Sequence, residues 1–158
     1  MRNGFTFIEL LVAVTIFVVV VSVASGIFVQ TLRTQREVIA LMAANDNASL
    51  TLEQMVREIR TGRQFRSNNR GDRLEFINAR GEPVVYEAVG NIILRNSQPL
   101  TASNVKVNYL FFGLRGETPE DGLSTRVTIN LGVGAVGRSV SGFVTNLQTT
   151  VAARLLDA

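Results

Sequence analysis

Gly4-Phe5-Thr6-Phe7-Ile8-Glu9-Leu10-Leu11-Val12 opens a stretch with one carboxylate and then, from Leu10 to Val29, no charged residue. Those twenty residues, at about 1.5 Å of rise each, span about 30 Å, the thickness of a bilayer hydrocarbon core. Only Met1, Arg2, Asn3 and Gly4 come before Phe5. A carboxylate at the head of such a segment is costly in lipid, so Glu9 is a functional residue by default. Beyond Arg33 the composition becomes that of an ordinary soluble domain. The chain therefore reads as a single span followed by a globular part.

The 158 residues leave room for one domain plus this appendage. The sequence has no Cys and no His. Zinc held by Cys and His, thiol catalysis and imidazole catalysis are excluded, and no disulfide staples the globular part. Scattered Ser and Asp without His form no triad, so the sequence offers no enzyme site. The net charge is +3, with a single Lys among the sixteen cationic side chains. Arg2 lies before the span and Arg33 and Arg36 after it, so charge bias alone leaves orientation open.

An ordinary secretory signal has a short apolar region closed by small residues at a cleavage site. Here the run is longer, and its nearest approach to such a site, Ala24-Ser25-Gly26, sits inside it. The small residue instead precedes the run, at Gly4. Gly4-Phe5-Thr6-Phe7-Ile8-Glu9-Leu10-Leu11-Val12 resembles the class III signal of type IV pilins and type II secretion pseudopilins. The resemblance implies cleavage between Gly4 and Phe5 by a prepilin peptidase on the cytoplasmic side, then N-methylation of Phe5. It also implies a single-pass protein of the cytoplasmic membrane with its C-terminal part outside the cytoplasm. Such a subunit lies in lipid before assembly and then joins a cell-surface or periplasmic filament. The implied partners are other pilins or pseudopilins, the peptidase and a membrane assembly platform.

Glu9 falls one helical turn beyond the ammonium that cleavage would expose at Phe5. Pairing with the amine of a neighbouring subunit would offset its desolvation and fix axial register. The plainer reading is a boundary carboxylate that reaches for water. One departure from the family pattern concerns the deep apolar segment, where pilins commonly carry a Pro. This chain has Ser22, Ser25 and Gly26 there, and no Pro before Pro83. Glycine permits a bend or a melted stretch without forcing either.

After Val29 the pattern becomes amphipathic. Leu32, Ile39, Met42, Leu52, Met55, Val56 and Ile59 read as one helix face, with Arg33, Arg36, Glu37, Glu53, Arg57 and Glu58 opposite. On that reading Met42 and Met55 are both core filler. Asn45-Asp46-Asn47 has poor helix propensity and marks a candidate kink. Gly62 suits the position just past the helix end. The segment 63–71 reads as a loop, and strands follow at 74–78, 83–88, 92–95, 105–112, 126–131 and 147–155. The organisation is a leader 1–4, an apolar helix 5–29, an amphipathic helix 30–62 and an antiparallel β domain 63–158. The fold class is α+β, one long helix packed on an antiparallel sheet, as the pilin fold implies. The strand order and the closing Gln-Thr-Thr-Val segment resemble PilW-like or J-type minor subunits.

Three other signals stand in the sequence. Arg57, Arg60, Arg63, Arg66, Arg70 and Arg73 form a basic cluster, the first four spaced by three along the helix end or its continuation. Arginines pair bidentately with nucleic-acid phosphate, but bases need stacking aromatics and only Phe65 is interleaved. A solvated face that pairs with Glu53, Glu58 and Asp72 is the preferred reading. Glu117, Glu120 and Asp121 form an acidic loop whose oxygens suit calcium, against a plain surface turn; no other cofactor is expected. Gly132-Val133-Gly134-Ala135-Val136-Gly137 lacks the following helix that a phosphate cradle needs, and reads as a mobile loop. Three function classes remain: a structural subunit of a pilus or pseudopilus, a DNA-binding minor pilin of an uptake pilus, and an unprocessed single-span membrane protein.

Overall fold

A computed structural model describes residues 6–116, 124–137, 140 and 142–154. The chain divides into two units, Met1–Ile39 and Ala40–Ala158. Helix α1 (Phe7–Arg60) supplies the first unit and begins the second.

In the first unit nearly every side chain of α1 is exposed, including the large apolar ones from Phe7 to Ile39. This helix is long and apolar enough to cross a membrane. Three of its hydroxyls are satisfied within the helix. Thr15, Ser22 and Thr31 donate to the carbonyls of Leu11, Val18 and Ile27 at 2.8, 2.7 and 2.9 Å. Such back-bonding lets a hydroxyl enter an apolar phase without leaving an unmet donor. The helix continues without a break past Ser25 and Gly26.

In the second unit the face of α1 turned to the core is Ala44, Ala48, Thr51, Met55 and Ile59, at spacings of four and three. Leu52 and Val56 flank it, partly buried. Met55 and Ile59 therefore match the expected stripe, whereas Leu32, Ile39 and Met42 do not: all three are exposed, Met42 at 62%. Helix geometry gives the reason. Met42 and Met55 are thirteen residues apart, which leaves them about 140° apart around the axis. The turns nearer Ala40 bury alanines instead, Ala44 and Ala48. The helix also runs unbroken through Asn45-Asp46-Asn47, and Asn47 Oδ1 accepts the Ala102 N–H at 3.1 Å.

Two antiparallel sheets follow rather than one. The first has the order β1 (Arg63–Ser67), β2 (Arg73–Ile77), β3 (Pro83–Val89), β4 (Ile92–Arg95), β5 (Gln98–Pro99). The second has β6 (Val105–Arg115), β7 (Arg126–Ala135), β8 (Thr145–Ala152). Two backbone bonds join them: Phe112 N–H to Gly71 O at 2.6 Å and Val107 N–H to Asn91 O at 2.8 Å. The shared core holds Met55 and Ile59 of α1, Leu74, Phe76, Val84, Tyr86 and Ile93 of the first sheet, and Phe112, Ile129 and Leu131 of the second.

The segment expected as a loop, 63–71, contains β1. Phe65 is its single inward side chain, stacked on Phe76 at 5.3 Å between centroids, and Phe76 stacks on Tyr86 at 6.0 Å. One apolar residue among arginines gives too little alternation to read as a strand. The glycine-rich stretch is also strand, since β7 runs through Gly132 and Gly134 to Ala135. A Cβ on Gly132 would collide with the Tyr109 ring, and one on Gly134 would lie 2.7 Å from the Phe143 carbonyl oxygen. These glycines serve close approach, not mobility.

Truncating Met55 to Ala should lower the unfolding free energy of the full chain by about 2–5 kcal/mol. Met42→Ala should stay within about 0.5 kcal/mol of the parent. Denaturant unfolding in detergent micelles, followed by circular dichroism, separates the two; equal losses would sink the assigned core face.

Candidate assembly site

The first described turn of α1 is built around Thr6 and Glu9. Thr6 donates twice to Glu9 Oε2, from its N–H at 2.9 Å and from its hydroxyl at 2.9 Å. Glu9 N–H returns a longer bond to Thr6 Oγ1 at 3.4 Å. This is a capping box, in which the N-cap hydroxyl and the carboxylate three residues on satisfy orphan donors reciprocally. The signal for it, Thr6-x-x-Glu9 ahead of an apolar run, stands in the sequence. The reading of Glu9 as a charge awaiting a partner passed over it. Both donors converge on Oε2, so Oε1 has no partner among the described residues. The site thus holds an anion at a helix N-terminus, oriented by its own chain, with one oxygen open to an external cation. Gly4 and Phe5 lie outside the described residues.

The arginines do not share one helix face. Arg57 is exposed and pairs with Glu53 one turn back at 2.9 Å. Arg60 ends α1, Arg63 and Arg66 belong to β1, and Arg70 lies in the turn to β2. The chain leaves the helix at Arg60, so a spacing of three no longer selects one side. A register shift in β1 between Arg63 and Arg66, with Gln64 at a φ of 58°, leaves both arginines exposed. Phe65, the aromatic between them, is buried against Phe76 and offers no face to a base. Arg73 pairs with Glu75 at 2.7 Å and Glu87 at 3.2 Å. Glu117, Glu120 and Asp121 lie outside the described residues. Among the described residues no group of three His, Cys, Asp or Glu side chains could hold a metal ion.

One polar constellation had no sequence signal beyond charge. Glu58 faces the sheet, not solvent. Its carboxylate accepts the Tyr86 hydroxyl at 2.8 Å and Arg95 Nε at 3.1 Å, tying α1 to β3 and β4. Burial, with the adjacent Glu58 carboxylate, pushes the Tyr86 phenol well up from its usual value, so it stays a donor. Contacts between residues 28 and 37 positions apart are invisible to local periodicity.

Residues 1–25 match the family model described as the prokaryotic N-terminal methylation motif. No curated protein and no solved structure matches the chain. The apolar helix and this motif together mark a membrane-anchored protein.

Two variants check the contacts described here. Thr6→Val removes the hydroxyl arm of the box and should speed amide exchange in the first turn by roughly fivefold, the scale of a lost N-cap. Exchange read by NMR at Glu9 and Leu10 in micelles, if unchanged, would show that the box does not hold. Tyr86→Phe should cost about 1 kcal/mol at neutral pH. The raised phenol value makes its stabilisation complete below the unfolded tyrosine value near ~10 and lost as pH climbs toward the higher native one. The parent should therefore lose stability above about pH 10 more steeply than Tyr86→Phe. Parallel alkaline slopes in thermal melts would remove that assignment.

Proposed function

We propose that this chain, which carries the N-terminal methylation motif typical of the type IV pilin and pseudopilin family, is a structural subunit of a pilus or type II secretion-like filament. On this reading it is a minor subunit and not an enzyme. It is cleaved after Gly4 and methylated at Phe5, and it crosses the cytoplasmic membrane once with residues from Gln30 onward outside the cytoplasm. The observation that carries the reading is Glu9: an oriented carboxylate with Oε1 free among the described residues, placed in the matched motif at the head of the uncharged stretch of α1.

The mechanism follows from what each environment satisfies. In lipid the exposed apolar side chains of α1 are solvated by acyl chains, and Thr6 meets half of the hydrogen-bonding need of Glu9. On assembly, neighbouring helices replace lipid around those side chains. The amine of an adjacent Phe5 then meets Glu9 Oε1, and the charge pair sets the axial position at which helices stop sliding. A carboxylate already held by Thr6 loses less side-chain entropy when that amine arrives.

Mass analysis of the purified membrane protein should show a chain beginning at Phe5 with one added methyl group. An intact Met1 would overturn the processing claim. Glu9→Ala should be cleaved and inserted like the parent but enter filaments far less efficiently; incorporation at the parent level would remove Glu9 from the register role.

A further inference from the structure

A sheet edge presents unpaired N–H and C=O groups, and proteins blunt edges with charge, proline, bulges or cover. Three of the four edges in this fold are managed in that way. The β1 edge carries Arg63 and Arg66 and a register shift. The β5 edge is two residues long and contains Pro99. The β6 edge is tied to the first sheet through Gly71 and Asn91. The fourth edge, β8, differs. It is Thr-Asn-Leu-Gln-Thr-Thr-Val-Ala, eight residues without a charge or a proline. It pairs with β7 through eight consecutive positions without a bulge. Among the described residues, β7 is its only strand neighbour.

We propose that β8 is an interface at which a second copy of this chain adds its own β8 antiparallel, across a two-fold axis at Thr149. The uncharged, alternating side chains of β8 match a second copy of themselves and set the register. Along β8 the core-facing positions are Leu147, Thr149 and Val151, and the solvent-facing positions are Asn146, Gln148, Thr150 and Ala152. Opposed residues of paired strands share a face, so a slip of one residue would set core positions against solvent positions. Centring on Thr149 sets core against core and solvent against solvent. It is also the pairing that places Leu147 of one copy opposite Val151 of the other. On the outer face it opposes Gln148 to Thr150, an uncharged pair that can hydrogen-bond, and Asn146 to the small Ala152. The first charge beyond the strand, Arg154, falls opposite the exposed Val144 and not opposite a like charge. A contact in which the same patch serves both partners is isologous and closes as a pair. Its affinity gains from the shared membrane anchor, which raises the local concentration of copies.

The absence of native cysteine makes the test direct. The full chain carrying Thr149→Cys, in membranes under mild oxidation, should form a disulfide-linked dimer at least tenfold faster than a chain carrying Arg80→Cys at the exposed β2–β3 turn. Adding Gln148→Lys and Thr150→Lys opposes lysines across the two-fold and should abolish the dimer. Gln148→Lys with Thr150→Glu opposes unlike charges and should restore it. All three added substitutions are at exposed positions; those at Thr150 also remove its hydroxyl contact with Thr128 at 3.0 Å, so melting temperatures are compared between the Lys and Glu variants, which lose it alike. A rate no greater than that of Arg80→Cys, a cross-link only to a different protein, or insensitivity to the lysine pair each overturns the proposal.

Discussion

Every backbone polar group must find a partner wherever water is excluded, and α1 meets that demand in two different surroundings. An α-helix satisfies its amides internally, so the same element can lie among acyl chains and then pack on protein. What changes along it is only which side chains point where. Up to Ile39 the large apolar side chains are exposed around the whole helix. From Ala44 to Ile59 a single face is buried and the opposite face carries ionised groups. The two ends of the helix are then the places where hydrogen bonding must be completed by something else. Thr6 and Glu9 complete it at the first turn. At the last turn Gly62 N–H bonds Ile59 O at 3.0 Å and Arg154 N–H bonds Arg60 O at 2.9 Å.

The helix end also explains why small residues matter there. Gly62 packs so close to the aromatic stack that a Cβ would lie 2.6 Å from the Phe76 ring. The stack of Phe65, Phe76 and Tyr86 thus begins directly under the turn that ends α1. Tyr86 in turn hands its hydroxyl to Glu58, one helical turn before Gly62 in the chain. Helix termination, aromatic packing and the Glu58–Arg95 pair therefore form one connected piece of structure. A change at any of them alters the seating of α1 on β3 and β4.

Much of this was legible in the sequence wherever the physical signal is local. The apolar run, Glu9 within it, the helix end near Gly62 and most strands follow from composition and spacing. The failures have specific causes. Met42 looked like core because large apolar residues were weighted over angle, whereas the helix uses Ala44 and Ala48. β1 was missed because one phenylalanine among arginines carries no alternation. Gly132 and Gly134 were read as freedom when they mark close approach, a difference set by Tyr109 and Phe143 far away in the chain. The arginines do not share one helix face because a spacing of three selects a side only along a helix, and α1 stops at Arg60. For Glu9 the position was legible, but its tie to Thr6 was overlooked although the four-residue pattern was present.

That tie changes the physical account of the Glu9 charge. An unpartnered carboxylate in lipid tends to take up a proton, and a neutral acid would hold no ammonium. In this chain Oε2 already takes two donors from Thr6 before any neighbour arrives. They also fix which oxygen remains, so the direction from which a cation can approach is set by the first turn of the helix. Thr6 therefore acts through Glu9: it orients the carboxylate. On the proposed reading, subunit register would rest on a local capping interaction that is complete within one chain.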